Sequence, residues 1–322
     1  MAGGRGLLTQ ASELWNNPTL VARLQVLLSA VLFGTTGTAQ ALGPDVPPAL
    51  VGAGRIVAGG ALLLAVATVT RKLQAGGRRG LVAVSGAFVA VYQLTFFAAV
   101  AETGVAVAAV VAIGSAPAFT GLLARVFIDE RLTRRWAAAT ALAAAGVGLL
   151  VLGSGSGGEV SAAGIGLSLV SGLGYAGYAV AGKRMLDAGG TPEGVMACVF
   201  ATGAVLLLPV LALAPTGELA TPEGLALIVY LGAVPTALAY VLFARGLARI
   251  GAGETATLTL AEPLTAAMLG VVVLGERPGA LAAIGALLVL SGLAVLAVRT
   301  RERPAASTAA RPQPAGALSW GR

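Results

Sequence analysis

Ten runs of mostly apolar residues follow one another along the chain, each long enough for one helix to cross the hydrocarbon core of a bilayer. They fall at about 20–41, 49–70, 81–101, 105–128, 136–153, 161–182, 194–214, 224–244, 253–274 and 279–298, and are called spans 1 to 10 below. Inside lipid no water can bond the backbone, so a single segment of this length satisfies its own N–H and C=O groups only as a helix. Composition closes the water-soluble alternative. The chain is 57% hydrophobic and 11% charged, against about 25% charged in a soluble domain. The expectation is an all-α integral membrane protein of ten transmembrane helices.

The charges orient the spans. Lys and Arg are retained on the cytoplasmic side. With the N-terminus inside, the inner segments carry Arg5 and Arg23; Arg71, Lys72, Arg78 and Arg79; Arg131, Arg134 and Arg135; Lys183 and Arg184; Arg245 and Arg249. The outer loops hold Asp45, Glu102, Glu159 and Glu218, with Arg277 as their basic residue. A miscounted span would break this alternation. Both termini are therefore expected in the cytoplasm, in a multi-pass protein of the cell membrane. Residues 1–19 lack the pattern of a cleavable signal peptide, so they read as a cytoplasmic segment before an uncleaved first span. Residues 299–322, rich in Ala, Pro, Arg and Ser, read as a disordered cytoplasmic tail.

The same residues exclude several kinds of chemistry. The net charge of +7 is spread in small clusters between apolar runs and aromatics are sparse, so no nucleic-acid partner is expected. The chain has no histidine and one cysteine, Cys198, which lies within span 7 and reads as a small buried hydrophobe. No metal site and no cofactor are expected. There is no phosphate-binding loop for ATP and no Gly-x-Ser-x-Gly nucleophile, so the chain does not read as an enzyme.

A repeat runs through the chain at an offset of 146 residues. Pro117 maps onto Pro263, Glu130-Arg131 onto Glu276-Arg277, and Gly146 onto Gly292. Each unit, 20–153 and 161–298, holds five spans. An odd number places the second unit upside down relative to the first, and the Glu-Arg motif accordingly falls on opposite sides. Inverted five-helix repeats place a binding site near the midplane, between the halves.

The run Phe243-Ala-Arg-Gly-Leu, Gly251-Ala-Gly-Glu, Ala261-Glu-Pro-Leu-Thr-Ala and Leu274-Gly-Glu-Arg resembles the second repeat of the EamA family of drug/metabolite transporters. Ser115-Ala-Pro-Ala-Phe, Asp129-Glu-Arg, Phe33-Gly-Thr-Thr and Gly54-Arg55 fit the first repeat, so the resemblance covers about residues 20–298. It implies the ten-helix fold in two repeats and export of amino acids, related metabolites or drugs. One departure is Ala116, where the first repeat has no acidic counterpart of Glu262.

Glu262 stands out because a charge at the middle of a span costs at least about 2.5 kcal/mol. It reads either as a site for a cationic group or a proton, or as a neutral or hydrogen-bonded side chain that fixes packing. Thr255, Thr259 and Ala266 share its helical face. Pro263 cannot donate, which is expected to leave the carbonyl of Thr259 free and the helix loosened. Arg55 in span 2 either snorkels, pairs with an acid or binds substrate. Tyr92, Gln93, Tyr175, Tyr178 and Tyr240 are cavity candidates, Tyr240 equally a member of an aromatic belt. Trp136 reads as an interfacial anchor, and Glu254 as part of a charge cluster with Arg245 and Arg249. Pro117, Pro263 and Pro235 read as hinges or as static kinks. The expected function is a secondary transporter working by alternating access, with the bilayer and a small-molecule substrate as partners. A channel or a non-transporting membrane scaffold stays open as the alternative, a membrane-embedded enzyme less so, and the assembly is left open between monomer and homodimer.

Overall fold

The computed structural model describes residues 17–77, 79–153, 161–214, 217–275, 277 and 279–297. The expectations for the N-terminal segment up to residue 16, for Arg78, Glu159 and Glu276, and for the tail lie outside these. All regular structure among the described residues is helical. Ten helices follow in order: α1 Pro18–Leu42, α2 Pro48–Val69, α3 Arg79–Gly104, α4 Val107–Phe127, α5 Arg134–Leu152, α6 Ala162–Asp187, α7 Pro192–Leu213, α8 Pro222–Leu247, α9 Ala252–Leu274 and α10 Ala280–Ala297. The first nine are long and apolar enough to cross a bilayer, and α10 is apolar and slightly short over its described residues.

Local chemistry sets the helix starts. Proline occupies the first turn of α1, α2, α7 and α8, where its missing N–H costs nothing. Asn17, Thr133, Ser161, Thr191 and Thr221 each accept a first-turn N–H through the side chain. The turn expected at 101–105 narrows to one residue. Gly104, at φ 77° and ψ 160°, breaks an otherwise continuous helical run from Arg79 to Phe127. Only glycine adopts that backbone conformation freely.

Inter-helix contacts fix the direction of each helix. Arg23 at the start of α1 pairs with Glu254 at the start of α9 at 2.6 Å. Glu193 at the start of α7 pairs with Arg245 near the end of α8 at 2.6 Å and with Lys72, after α2, at 3.4 Å. These ends define a basic face. At the opposite face Glu102, near the end of α3, accepts a hydrogen bond from Ser161 at the start of α6. Hence α1 starts at the basic face and α6 at the opposite one, and the two five-helix halves are inverted.

The inversion is visible atom by atom where α5 crosses α10. A Cβ on Gly146 would lie 2.6 Å from the Val289 nitrogen and 2.7 Å from the Gly285 oxygen. A Cβ on Gly292 would lie 2.7 Å from the Ala139 oxygen and 2.9 Å from the Ala143 nitrogen. The partner positions differ by the same 146 residues as the glycines, so the contact is exchanged with itself by an approximate two-fold axis.

The remaining helices intermix. α1 packs against α8 and α9, and α6 against α3 and α4. Exchange of the halves turns one set into the other. The molecule therefore consists of two triads, α3-α4-α6 and α8-α9-α1, flanked by the pairs α2-α7 and α5-α10.

Candidate functional site

The triads meet along a polar seam within the spans. α2 brings Arg55, two turns from the end of the helix that faces away from the basic side. Its guanidinium donates to Gln93 Oε1 at 3.0 Å and to the Tyr92 hydroxyl at 3.4 Å. Gln93 is 1% exposed and donates its amide to the Gly52 carbonyl at 3.1 Å, which fixes its oxygen toward Arg55. Gly52 has no side chain because the Phe97 ring lies against it. No carboxylate pairs with Arg55 among the described residues, so the acid partner considered from sequence is replaced by two neutral acceptors.

Aromatic side chains continue the seam. Tyr92 packs on Tyr178 at 5.9 Å between ring centroids, and Tyr178 on Tyr175 at 5.1 Å. The Tyr178 hydroxyl donates to that of Tyr240 at 3.3 Å. Tyr240 is buried against Phe33, Phe200 and Phe243. This rules out the aromatic-belt reading of Tyr240: its ring belongs to the core that backs the seam. Phe33 and Phe243 stand in the repeat motifs, whereas nothing in the sequence distinguishes Phe200 from a lipid-facing residue.

α9 supplies the acidic side. Its first piece ends at Leu258 and its second begins at Ala261. The Thr259 carbonyl is not free, as expected from Pro263, but accepts the Glu262 N–H at 2.9 Å. The helix restarts at Ala261, so Pro263 occupies a first turn, where no N–H is required. The break moves Glu262 to the head of a new helical segment. Thr259 shares a hydrogen bond of 3.3 Å with the Tyr175 hydroxyl. Glu262 makes no ion pair among the described residues, and Arg55 is the opposite charge that acts on it electrostatically. Arg55, Tyr92, Tyr175 and Glu262 are all half-buried.

Other candidates fall elsewhere. Thr255 is fully buried on the first piece of α9, on the basic-face side of Glu262, and donates to the Gly251 carbonyl at 2.9 Å. Pro235 lies in a π-helical stretch, Ala233–Leu238, of α8. The helix runs through Pro117 without a break. Glu254 joins Arg23 rather than Arg245 or Arg249, because Arg245 is taken by Glu193. Trp136, at the start of α5, lays its ring over Gly121, and its indole nitrogen is buried beside Gly253 without a hydrogen-bond partner among the described residues.

The seam is shut at one end. Toward the basic face the first piece of α9 packs mainly against the α3-α4 side, and the basic-face half of α8 packs mainly against α1 and α7 and only lightly on α6, whereas the second piece of α9 packs mainly against α1, α5 and α10. Glu130, in the loop after α4, bridges the triads by accepting the N–H groups of Ala252 at 2.7 Å and Gly253 at 3.1 Å. Sequence reasoning marked Glu130 as a repeat signature and missed this contact.

Residues 21–152 and 162–298 both match the model of the EamA-like transporter family. The chain belongs to that family. A relative from Bacillus subtilis, the uncharacterized transporter YwfM, is 39% identical over 89% of this EamA-family chain and 97% of its own length. A probable terminal-alkyne amino-acid exporter from Streptantibioticus cattleyicolor is 33% identical over 59% of this chain and 64% of its own length. A protein of known crystal structure superposes with a TM-score of 0.75 over 86% of this chain and 96% of that one, at 24% identity, a likeness of fold. The family and the first two relatives carry transporter names, in agreement with a multi-pass membrane protein.

Proposed function

We infer that this transporter exports small zwitterionic metabolites, amino acids or their derivatives, by alternating access between the two triads. The observation that carries this reading is the placement of Arg55 and Glu262. They are opposite charges, half-buried within the spans, acting on each other without an ion-pair contact and lacking other ion-pair partners among the described residues. An isolated charge at this depth is expensive. A substrate that presents a carboxylate to Arg55 and an ammonium to Glu262 relieves both costs at once. The tyrosines between them offer hydroxyls and ring faces to the rest of the molecule. A cationic drug would engage Glu262 and leave Arg55 unused, so the zwitterion fits better. The amino-acid exporter among the relatives agrees in chemistry.

The basic face is assigned to the cytoplasm of the cell membrane by the excess of Lys and Arg. With that orientation the seam is closed toward the cytoplasm, the state that follows loading in an export cycle.

The test is counterflow in proteoliposomes with a panel of labelled amino acids and the matching amines. The reading requires saturable uptake accelerated by unlabelled substrate inside. Flux that rises linearly with concentration would instead indicate a channel. Glu262→Gln should abolish exchange of the zwitterion. If this variant exchanges at the original rate and with the original pH dependence, Glu262 contacts neither ammonium nor proton.

A further inference from the structure

Helix α9 connects the closed end of the seam to the site. Its first turn lies at the basic face with Thr255 on the first piece, and Glu262 lies one break further on, sharing one face of the second piece with Ala266. Two side chains hold that first turn. Arg23 pairs with Glu254 at 2.6 Å, but α1 belongs to the same triad as α9, so this bond moves with the helix. Glu130 belongs to the other triad. Its two carboxylate oxygens take the N–H groups of Ala252 and Gly253, donors that a helix start leaves without an intrahelical partner. The glycine on each side of Ala252 makes room for it: a Cβ on Gly251 would collide with the Glu130 carboxylate, and one on Gly253 would lie 3.3 Å from Oε1. A negative charge is favoured at this end by the helix dipole.

We propose that Glu130 is a positioning residue that acts as the latch of the basic-face gate: it docks the start of α9 onto the α3-α4-α6 triad while the opposite face is open, and it must release that start for substrate to load from the basic face. Glu130 acts through α9 and does not touch the substrate. The latch rests on the two-triad rocking described above and not on the identity of the substrate.

Paired cysteine reporters test it. In a Cys198→Ala background, Thr255→Cys reports the basic-face side of Glu262 and Ala266→Cys the other side. Each is placed in oriented membrane vesicles and labelled with a membrane-impermeant thiol reagent. Glu130→Gln keeps the size of the side chain but loses its charge and one acceptor. It should speed labelling at residue 255 from the basic face about tenfold and slow labelling at residue 266 from the opposite face, as a shift between two states requires. Glu130→Asp, charged but shorter, should fall between. Unchanged rates at both reporters would overturn the latch. So would a rise at both, which marks a loosened fold rather than a shifted gate. Failure of counterflow with every amino acid would overturn the exporter reading and leave the reciprocal labelling intact.

Discussion

Two neutral acceptors decide where the Arg55 guanidinium points, and the more firmly held of them is Gln93. A hydrogen bond to a charged group contributes about 1.5–3 kcal/mol. Gln93→Leu, similar in volume and apolar, is therefore expected to raise the apparent KM for a zwitterionic substrate about tenfold or more. The matching amine, which does not need Arg55, should be little affected in the same counterflow assay. Thr259→Val, which removes the bond to Tyr175, should cost about 1 kcal/mol in substrate affinity, measured as the shift in half-saturation. The candidates themselves were legible in the sequence, because Arg55, Gln93 and Glu262 interrupt apolar runs and lipid penalises them. Their partners were not. Nothing in the spacing of Arg55 and Gln93 shows that α2 and α3 bring them to 3.0 Å, and nothing distinguishes Tyr240, packed in the core, from a tyrosine at the headgroups.

At the level of the helix, interruptions matter more than lengths. The ten spans were readable because each needs about 20 apolar residues, but the breaks follow hydrogen bonding that the pattern does not display. Pro263 announces a break and does not mark its place: the interruption sits at Thr259 and Leu260, a turn earlier, because the proline is tolerated best inside a restarted first turn. Pro117 stands at the repeat-equivalent position in an unbroken helix. The two prolines should therefore respond differently. Pro263→Ala supplies an N–H that competes for the Thr259 carbonyl, and should lower exchange turnover about tenfold with little change in half-saturation. Pro117→Ala should stay near the original rate in the same measurement. Gly104 offers a separate check. Its backbone lies in a region essentially reserved for glycine, so Gly104→Ala should destabilise the protein by about 1–3 kcal/mol. Thermal unfolding in detergent should show this as a lowered midpoint, with Gly114→Ala, whose Cβ meets nothing within 4 Å, as the control.

On the scale of the whole molecule the offset repeat foretold the inversion, and the charge pattern agreed with it. What neither revealed is that the halves exchange helices, since the sequence order α1 to α5 suggests a self-contained bundle. The two-fold relation makes its own prediction. Gly146→Ala and Gly292→Ala place a methyl against backbone atoms in equivalent surroundings, so each should cost about 1–3 kcal/mol and the two should agree closely in unfolding midpoint. A large difference between them would show that the α5-α10 crossing is not symmetric. The exchange of helices also bears on how the chain is made. α1 leaves the ribosome first, yet its packing partners are α8 and α9, which begin at Pro222 and Ala252. Through most of synthesis the face of α1 that meets α8 and α9 lacks those partners. The first half, cut off and expressed alone, would present that face to whatever membrane protein lay beside it. For this architecture the last helices to be inserted complete the first, and quality control has little to inspect until the chain is nearly finished.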